Sequence, residues 1–430
     1  MKLPIKSWWA DRFIRGTFVL TVANFIGSVL NYLVHPILAR RLSIAEYGDY
    51  QALLSFVTIV GLVASVVGTT LIKEFSVLKD KEPEAASVLR HKASRRLFLV
   101  GLSMFALIFI FSASLTGLFK ISHPLSIIFS SLILFYTFTL TVNRALLTAY
   151  QRFTALAANN LLDNVSRLLL VVILVIACDL SLNGAAIAIG LSGLLSFTII
   201  FLQVKKIDLP AFKGLNKVIA TPWSYALLVL WFTALIQFFY NFDMLFIKSA
   251  FTQELAGLYG ALLTIGRIVL FVGGSIPLVM FPVVANLQND QSLRKYHILG
   301  KSLALMSLLT LPACLFIALF PELIIKIVVG AKYLAIAEYL PAFAVIILLL
   351  TLLTVVAQYF IALSNRQSLV ILSVGALLEI ALLNLFHANL WQIIYSLGLV
   401  FTAINLSLGI LFFNKYQTAA SALRNNLSKQ

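Results

Sequence analysis

The chain has 430 residues, 61% of them hydrophobic and 11% charged, with a net charge of +16. A soluble domain is about a quarter charged, so this composition excludes a soluble globular protein. The positive balance fits cytoplasmic loops facing anionic lipid and predicts no nucleic-acid partner. The two cysteines, Cys178 and Cys314, lie in apolar runs and offer neither a disulfide framework nor a metal-ligand spacing.

No cleavable signal peptide is expected at the start of the chain. Residues 1–15 instead carry Lys2, Lys6, Arg12 and Arg15, with Trp8 and Trp9 as an interfacial anchor. A membrane span needs about 20 apolar residues. The reading is an all-α polytopic membrane protein of twelve transmembrane helices. The first six spans are 17–39, 50–72, 97–118, 124–147, 157–178 and 183–203. The second six are 223–248, 256–283, 299–320, 336–363, 367–387 and 390–413. Between the sixes lies a polar stretch, Lys205 to Thr221, with Pro210 and four lysines. The domains are therefore a six-helix lobe over 1–204, a cytoplasmic connector over 205–222 and a second six-helix lobe over 223–430.

Lys and Arg set the orientation. With the N-terminus in the cytoplasm, inside segments hold 24 of them and outside loops hold 6 (Arg40, Arg41, Lys120, Lys248, Lys326 and Lys332). Both termini are then cytoplasmic and the two lobes run parallel. The longest inside loop, Lys73 to Arg96, reads either as a surface helix on anionic headgroups or as a solvated charge run. The outside loops read as short throughout.

One helix turn occurs twice. Gly48-Asp49-Tyr50-Gln51-Ala52-Leu53-Leu54 returns 209 positions later as Gly257-Leu258-Tyr259-Gly260-Ala261-Leu262-Leu263. Each copy has a hydroxyl five residues before its glycine, Ser43 and Thr252. A spacing of half the chain indicates duplication, and a duplicated membrane bundle carries its site where the halves meet.

Polar groups inside spans are costly and mark function. Asn24, Ser28, Asn31 and His35 fall on one helical stripe of the first span. Adding 209 gives Thr233, Gln237, Tyr240 and Met244 in the seventh, beside Asn241. Paired stripes predict a water-accessible central cavity; the alternative is interhelical hydrogen bonding in a dry bundle. Arg267, mid-span in the eighth, reads as an anion site or as the partner of Asp243 or Glu379. Asp163 and Arg167 form an i, i+4 ion pair in the fifth span, beside Asn164. Arg144 and Arg152 read as cations snorkelling to headgroups, or with Arg167 as a cytoplasmic mouth; Arg40 and Arg41 stand at the opposite face. Asp163, Asp243 and Glu379 are the acids available to couple an ion. Bends are expected at His35-Pro36 and around Gly273-Gly274, Pro277 and Pro282. No Walker loop, zinc motif or nucleophilic constellation occurs, so no enzyme, cofactor or metal site is expected.

The stretch Leu38 to Tyr50, with its echo from Phe242-Asp243 through Tyr259, resembles the polysaccharide flippases, the Wzx-type branch of the multidrug/oligosaccharidyl-lipid/polysaccharide (MOP) exporter superfamily. The resemblance implies two parallel lobes around a cationic cavity, in a bacterial inner membrane. The substrate it implies is an undecaprenyl-pyrophosphate-linked oligosaccharide, flipped for surface polysaccharide (O-antigen, lipopolysaccharide) synthesis by alternating access. Arg267 would hold the pyrophosphate, and Asn24, Asn31, Gln237 and Asn241 would meet sugar hydroxyls. Membrane lipids, a polysaccharide polymerase and a chain-length regulator are the implied partners. Two departures narrow the choice. No carboxylate lies between Gly16 and Arg41, against a cation-coupled drug exporter, and the chain lacks the fourteen spans of a lipid II flippase. A glycan polymerase or ligase would want a long external loop.

Overall fold

The computed structural model describes residues 12–205, 207, 223–287 and 293–427. The Lys2, Lys6 and Trp8-Trp9 anchor and most of the connector lie outside them. The described residues form fifteen α-helices: α1 (Arg12–Arg41), α2 (Ile44–Lys81), α3 (Pro83–Ile110), α4 (Ser112–Leu118), α5 (Pro124–Ala149), α6 (Phe153–Val171), α7 (Ser181–Val204), α8 (Trp223–Ala250), α9 (Gln253–Gly273), α10 (Ser275–Asn286), α11 (Arg294–Leu319), α12 (Pro321–Val328), α13 (Leu340–Ala362), α14 (Arg366–Leu385) and α15 (Leu390–Leu427). A π-helical turn, Val172–Ala177, ends α6, and a 3-10 turn, Ala331–Ile336, follows α12. Twelve of these helices are long and apolar enough to cross a membrane, which makes this a multi-pass membrane protein.

Contacts divide the chain into two compact units, Met1–Leu230 with Phe251–Gly257, and Trp231–Ala250 with Leu258–Gln430. In the first, α5 is the hub: α2, α3 and α7 all pack on it, while α1 packs on α6 and α6 on α7. In the second, α13 is the hub for α10, α11 and α15, and α14 packs on α15. The hubs are the fourth and tenth spans, so the pairings of one unit recur six spans later in the other. Burial explains the hub role: both are strongly apolar, and more than half of the residues of each are buried.

Several elements differ from the sequence reading, for one reason. Apolar-residue counting finds where a helix enters lipid, but the i to i−4 ladder continues into water at no extra cost. The Lys73–Arg96 stretch is thus no separate surface helix. α2 runs on to Lys81, Glu82 leaves the helical conformation (φ −147°, ψ 72°) as the residue before Pro83, and α3 starts at that proline. Phe75 and Ala86 then pack on Leu146 and Ala149 of α5. Likewise α15 continues past 413 to Leu427. The connection after the ninth span is not bare loop, since it carries α12 and the 3-10 turn. The eighth span breaks between Gly273 and Ser275, as its glycine pair predicts, whereas α1 continues through Pro36.

Candidate functional site: a cationic polar seam

The repeated turn is a capped helix start. Ser43 caps α2 in a capping box: its Oγ accepts from the Glu46 N–H at 3.2 Å, and Glu46 Oε2 accepts from the Ser43 N–H at 2.9 Å. Thr252 Oγ1 accepts from the Leu255 N–H at 3.4 Å, so the second hydroxyl caps α9. The two glycines meet within the first unit. A Cβ on Gly48 would lie 2.7 Å from the Gly257 nitrogen, and one on Gly257 would lie 1.9 Å from the Ile44 carbonyl oxygen. Residues 251–257 are held there by Lys120, whose Nζ donates to the Phe251 carbonyl at 3.2 Å and whose own carbonyl accepts from Gln253 Nε2 at 2.9 Å.

In the same unit, polar side chains of α1, α5, α6 and α7 form one seam. Asp163 sits between two arginines, with Arg144 Nη2 at 3.3 Å and Arg167 Nη2 at 3.6 Å. Arg144 also donates to Asn159 Oδ1 at 3.1 Å and to Ser196 Oγ at 3.1 Å. Arg167 donates to Asn31 Oδ1 at 3.2 Å and to Ser192 Oγ at 3.4 Å. Asn160 of α6 donates to Asn24 Oδ1 at 3.0 Å. Two guanidinium groups against one carboxylate leave a net positive charge, and the three side chains are 31%, 15% and 18% exposed. They are therefore desolvated enough to attract an anion strongly yet open enough to receive one.

The structure thus brings Asn24, Asn31, Arg144, Asp163 and Arg167 together. Arg144 does not snorkel to headgroups; it turns inward because Asp163, Asn159 and Ser196 satisfy its donors. Arg152 does not join them. It is exposed at the start of α6, and Arg40 and Arg41 are exposed at the end of α1. Ser28 is exposed on the α1 stripe. His35 is a core residue, 5% exposed, hydrogen-bonded to Gln51 at 3.1 Å and packed edge-on against Tyr50. A proline-flanked histidine about one turn beyond Asn31 on the same stripe gave no signal of that burial. Asn159, Asn160, Ser192 and Ser196 were missed. Their i, i+4 serine spacing in the sixth span was the available signal.

The second unit holds its polar groups in smaller sets. Gln237 accepts from Asn241 Nδ2 at 3.2 Å, and Tyr240 shares a hydrogen bond with Thr354 at 2.7 Å. Asp243, 5% exposed, accepts from the Tyr259 hydroxyl, which joins the repeated tyrosine to the acid of α8. Arg267 is half-buried, and its charge acts on both of these groups. Glu379 of α14 is 1% exposed, and neither carboxyl oxygen has a hydrogen-bond partner among the described residues. Asp243 is the charge that acts on it.

The sequence profile of a family described as polysaccharide biosynthesis protein matches residues 37–338, about 70% of the chain. The chain belongs to that family. No curated protein matches this family member. Its fold is similar to those of solved MurJ and MATE transporter structures. It is similar to lipid II flippase MurJ in an inward closed conformation, at 15% identity and TM-score 0.71, covering 93% of this chain and 87% of that one. It is also similar to an inward-facing MATE multidrug resistance transporter, at 14% identity and TM-score 0.75, covering 95% and 99%. A MOP-superfamily transporter from Pyrococcus furiosus aligns at 13% identity and TM-score 0.67, covering 96% and 95%.

Proposed function

We propose that this polysaccharide biosynthesis protein flips an undecaprenyl-pyrophosphate-linked oligosaccharide from the cytoplasmic to the periplasmic leaflet of a bacterial inner membrane, by alternating access. The observation that carries the reading is the part-exposed, net-positive Arg144–Asp163–Arg167 seam. Guanidinium forks grip phosphate oxygens through paired hydrogen bonds. Asn24 and Asn31 offer amides to sugar hydroxyls beside them. Arg267, half-buried in the second unit with Gln237 and Asn241 on the preceding helix, is that unit's own guanidinium for a phosphate group. Asp243 and Glu379 are the acids for an ion-coupled cycle: both are buried, and the Glu379 carboxyl, without a hydrogen-bond donor among the described residues, is a place for a proton or a small cation. Both ends of the chain stay in the cytoplasm.

The test is surface polysaccharide in cells carrying Arg167→Gln or Arg267→Ala. Arg167→Gln leaves Arg144 to neutralise Asp163, so the protein accumulates normally. Export is expected to fall at least tenfold in both variants at unchanged protein level. Wild-type export by both would remove the arginines from the mechanism. Resistance to cationic dyes on overexpression, with polysaccharide unaffected, would point to a small-molecule exporter instead.

A further inference from the structure

A polar cavity lies wholly within the second unit, away from the residues assigned above. It encloses about 670 Å³, within the usual range for a small-ligand site. Lys295 and Lys415 line it, and among the described residues no Asp or Glu does. Its walls come from one end of four helices: the starts of α11 and α14, the end of α13, and the stretch of α15 around Leu411 to Ala419. Leu411 stands 21 residues into α15, about 31 Å along it, which matches the hydrocarbon thickness of a bilayer. The cavity therefore sits at the level of lipid headgroups.

Three features mark it as built to hold something. Tyr359 is 1% exposed and lines the cavity, and its hydroxyl has no hydrogen-bond partner among the described residues. A buried donor without an acceptor is costly unless a ligand or water meets it. The α14 N-terminus opens at the cavity through Asn365, whose side chain caps the Ser368 N–H at 3.1 Å, and Gln367. The first-turn amides add partial positive charge there. An aromatic frame fixes the walls: Tyr296 stacks edge-on to Phe412 at 5.6 Å, Tyr359 to Phe412 at 6.0 Å, and the Tyr296 hydroxyl donates to the Lys415 carbonyl at 3.1 Å. Lys295 lies over the Tyr296 ring at 5.7 Å.

We propose that this cavity binds the phosphate headgroup of an anionic phospholipid. The two lysines and the α14 amides take the phosphate, Tyr359 donates to a phosphate oxygen, and Leu363 and Leu411 receive the upper acyl chain. Three of the four helices lie beyond residue 338, outside the matched family segment.

The experiment is a thermal-stability titration of the delipidated full chain in detergent with short-chain phosphatidylglycerol, phosphatidylcholine or inorganic phosphate. Phosphatidylglycerol is expected to raise Tm saturably, and the other two to leave it in place. Replacing both lysines (Lys295→Gln with Lys415→Gln) should move the phosphatidylglycerol midpoint about thirtyfold, at roughly one kcal/mol per lysine. Tyr359→Phe should move it about fivefold. Thr418→Glu, an exposed rim change that leaves the walls intact, should weaken phosphatidylglycerol alone. Equal shifts with phosphatidylcholine, or unmoved midpoints in the variants, would overturn the site. A phosphate shift equal to that of phosphatidylglycerol would overturn the lipid and leave a soluble phosphate as ligand.

Discussion

Gly257 tolerates no side chain where it sits. A β-carbon 1.9 Å from the Ile44 carbonyl must push backbone, so Gly257→Ala is expected to cost about 2–3 kcal/mol. Gly300→Ala and Gly409→Ala, in helices with open space around them, should instead gain about 0.5–1 kcal/mol each. Melting temperatures in detergent separate the two classes, and equal behaviour would mean the Gly48–Gly257 contact is absent. Glu379 poses the opposite case. An unbonded carboxyl held at 1% exposure is a stability cost, so Glu379→Leu should be more stable by about 1–3 kcal/mol while export is lost. A variant that exports normally would make Glu379 incidental. Both residues stood out in the sequence, one by repetition and one by charge, but neither its packing nor its missing partners did. Those depend on which helix lies opposite, and composition carries no record of that.

The α1–α6 packing shows what a polar stripe on a single helix leaves open. Asn24 and Asn31 were legible as one face, and Asp163–Arg167 as a pair four residues apart. That the two sets face each other was not legible, because the first and fifth spans are joined by no short loop. Gly27 marks the crossing: a Cβ there would lie 3.9 Å from the Asn164 Cβ, within disulfide range. Gly27→Cys with Asn164→Cys should therefore cross-link under oxidation, and export should persist if α1 and α6 move as one body. Export that stops on oxidation and returns on reduction would show that the seam itself opens during the cycle. Span positions were read well because hydropathy reports entry into lipid. Helix ends, the Glu82 corner and the π-helical turn were not, since they are set by backbone geometry and capping within each helix.

Across the molecule, each unit repeats one pattern of helix pairings around an apolar hub. The 209-residue spacing signalled it, and the positive-inside count leads to the expectation that both termini are cytoplasmic. Reporter fusions at each end and at Lys326 test that: cytoplasmic signal at both termini and periplasmic signal at Lys326 are expected. The central claim is transport of a pyrophosphate-linked headgroup past a cationic seam. Its most direct measurement is flux of a polyprenyl-pyrophosphate oligosaccharide in proteoliposomes, read by enzymatic access to the sugar from one side. Wild-type protein should expose the substrate well above protein-free vesicles, and Arg167→Gln should not. Equal access with wild type, Arg167→Gln and no protein would contradict the account.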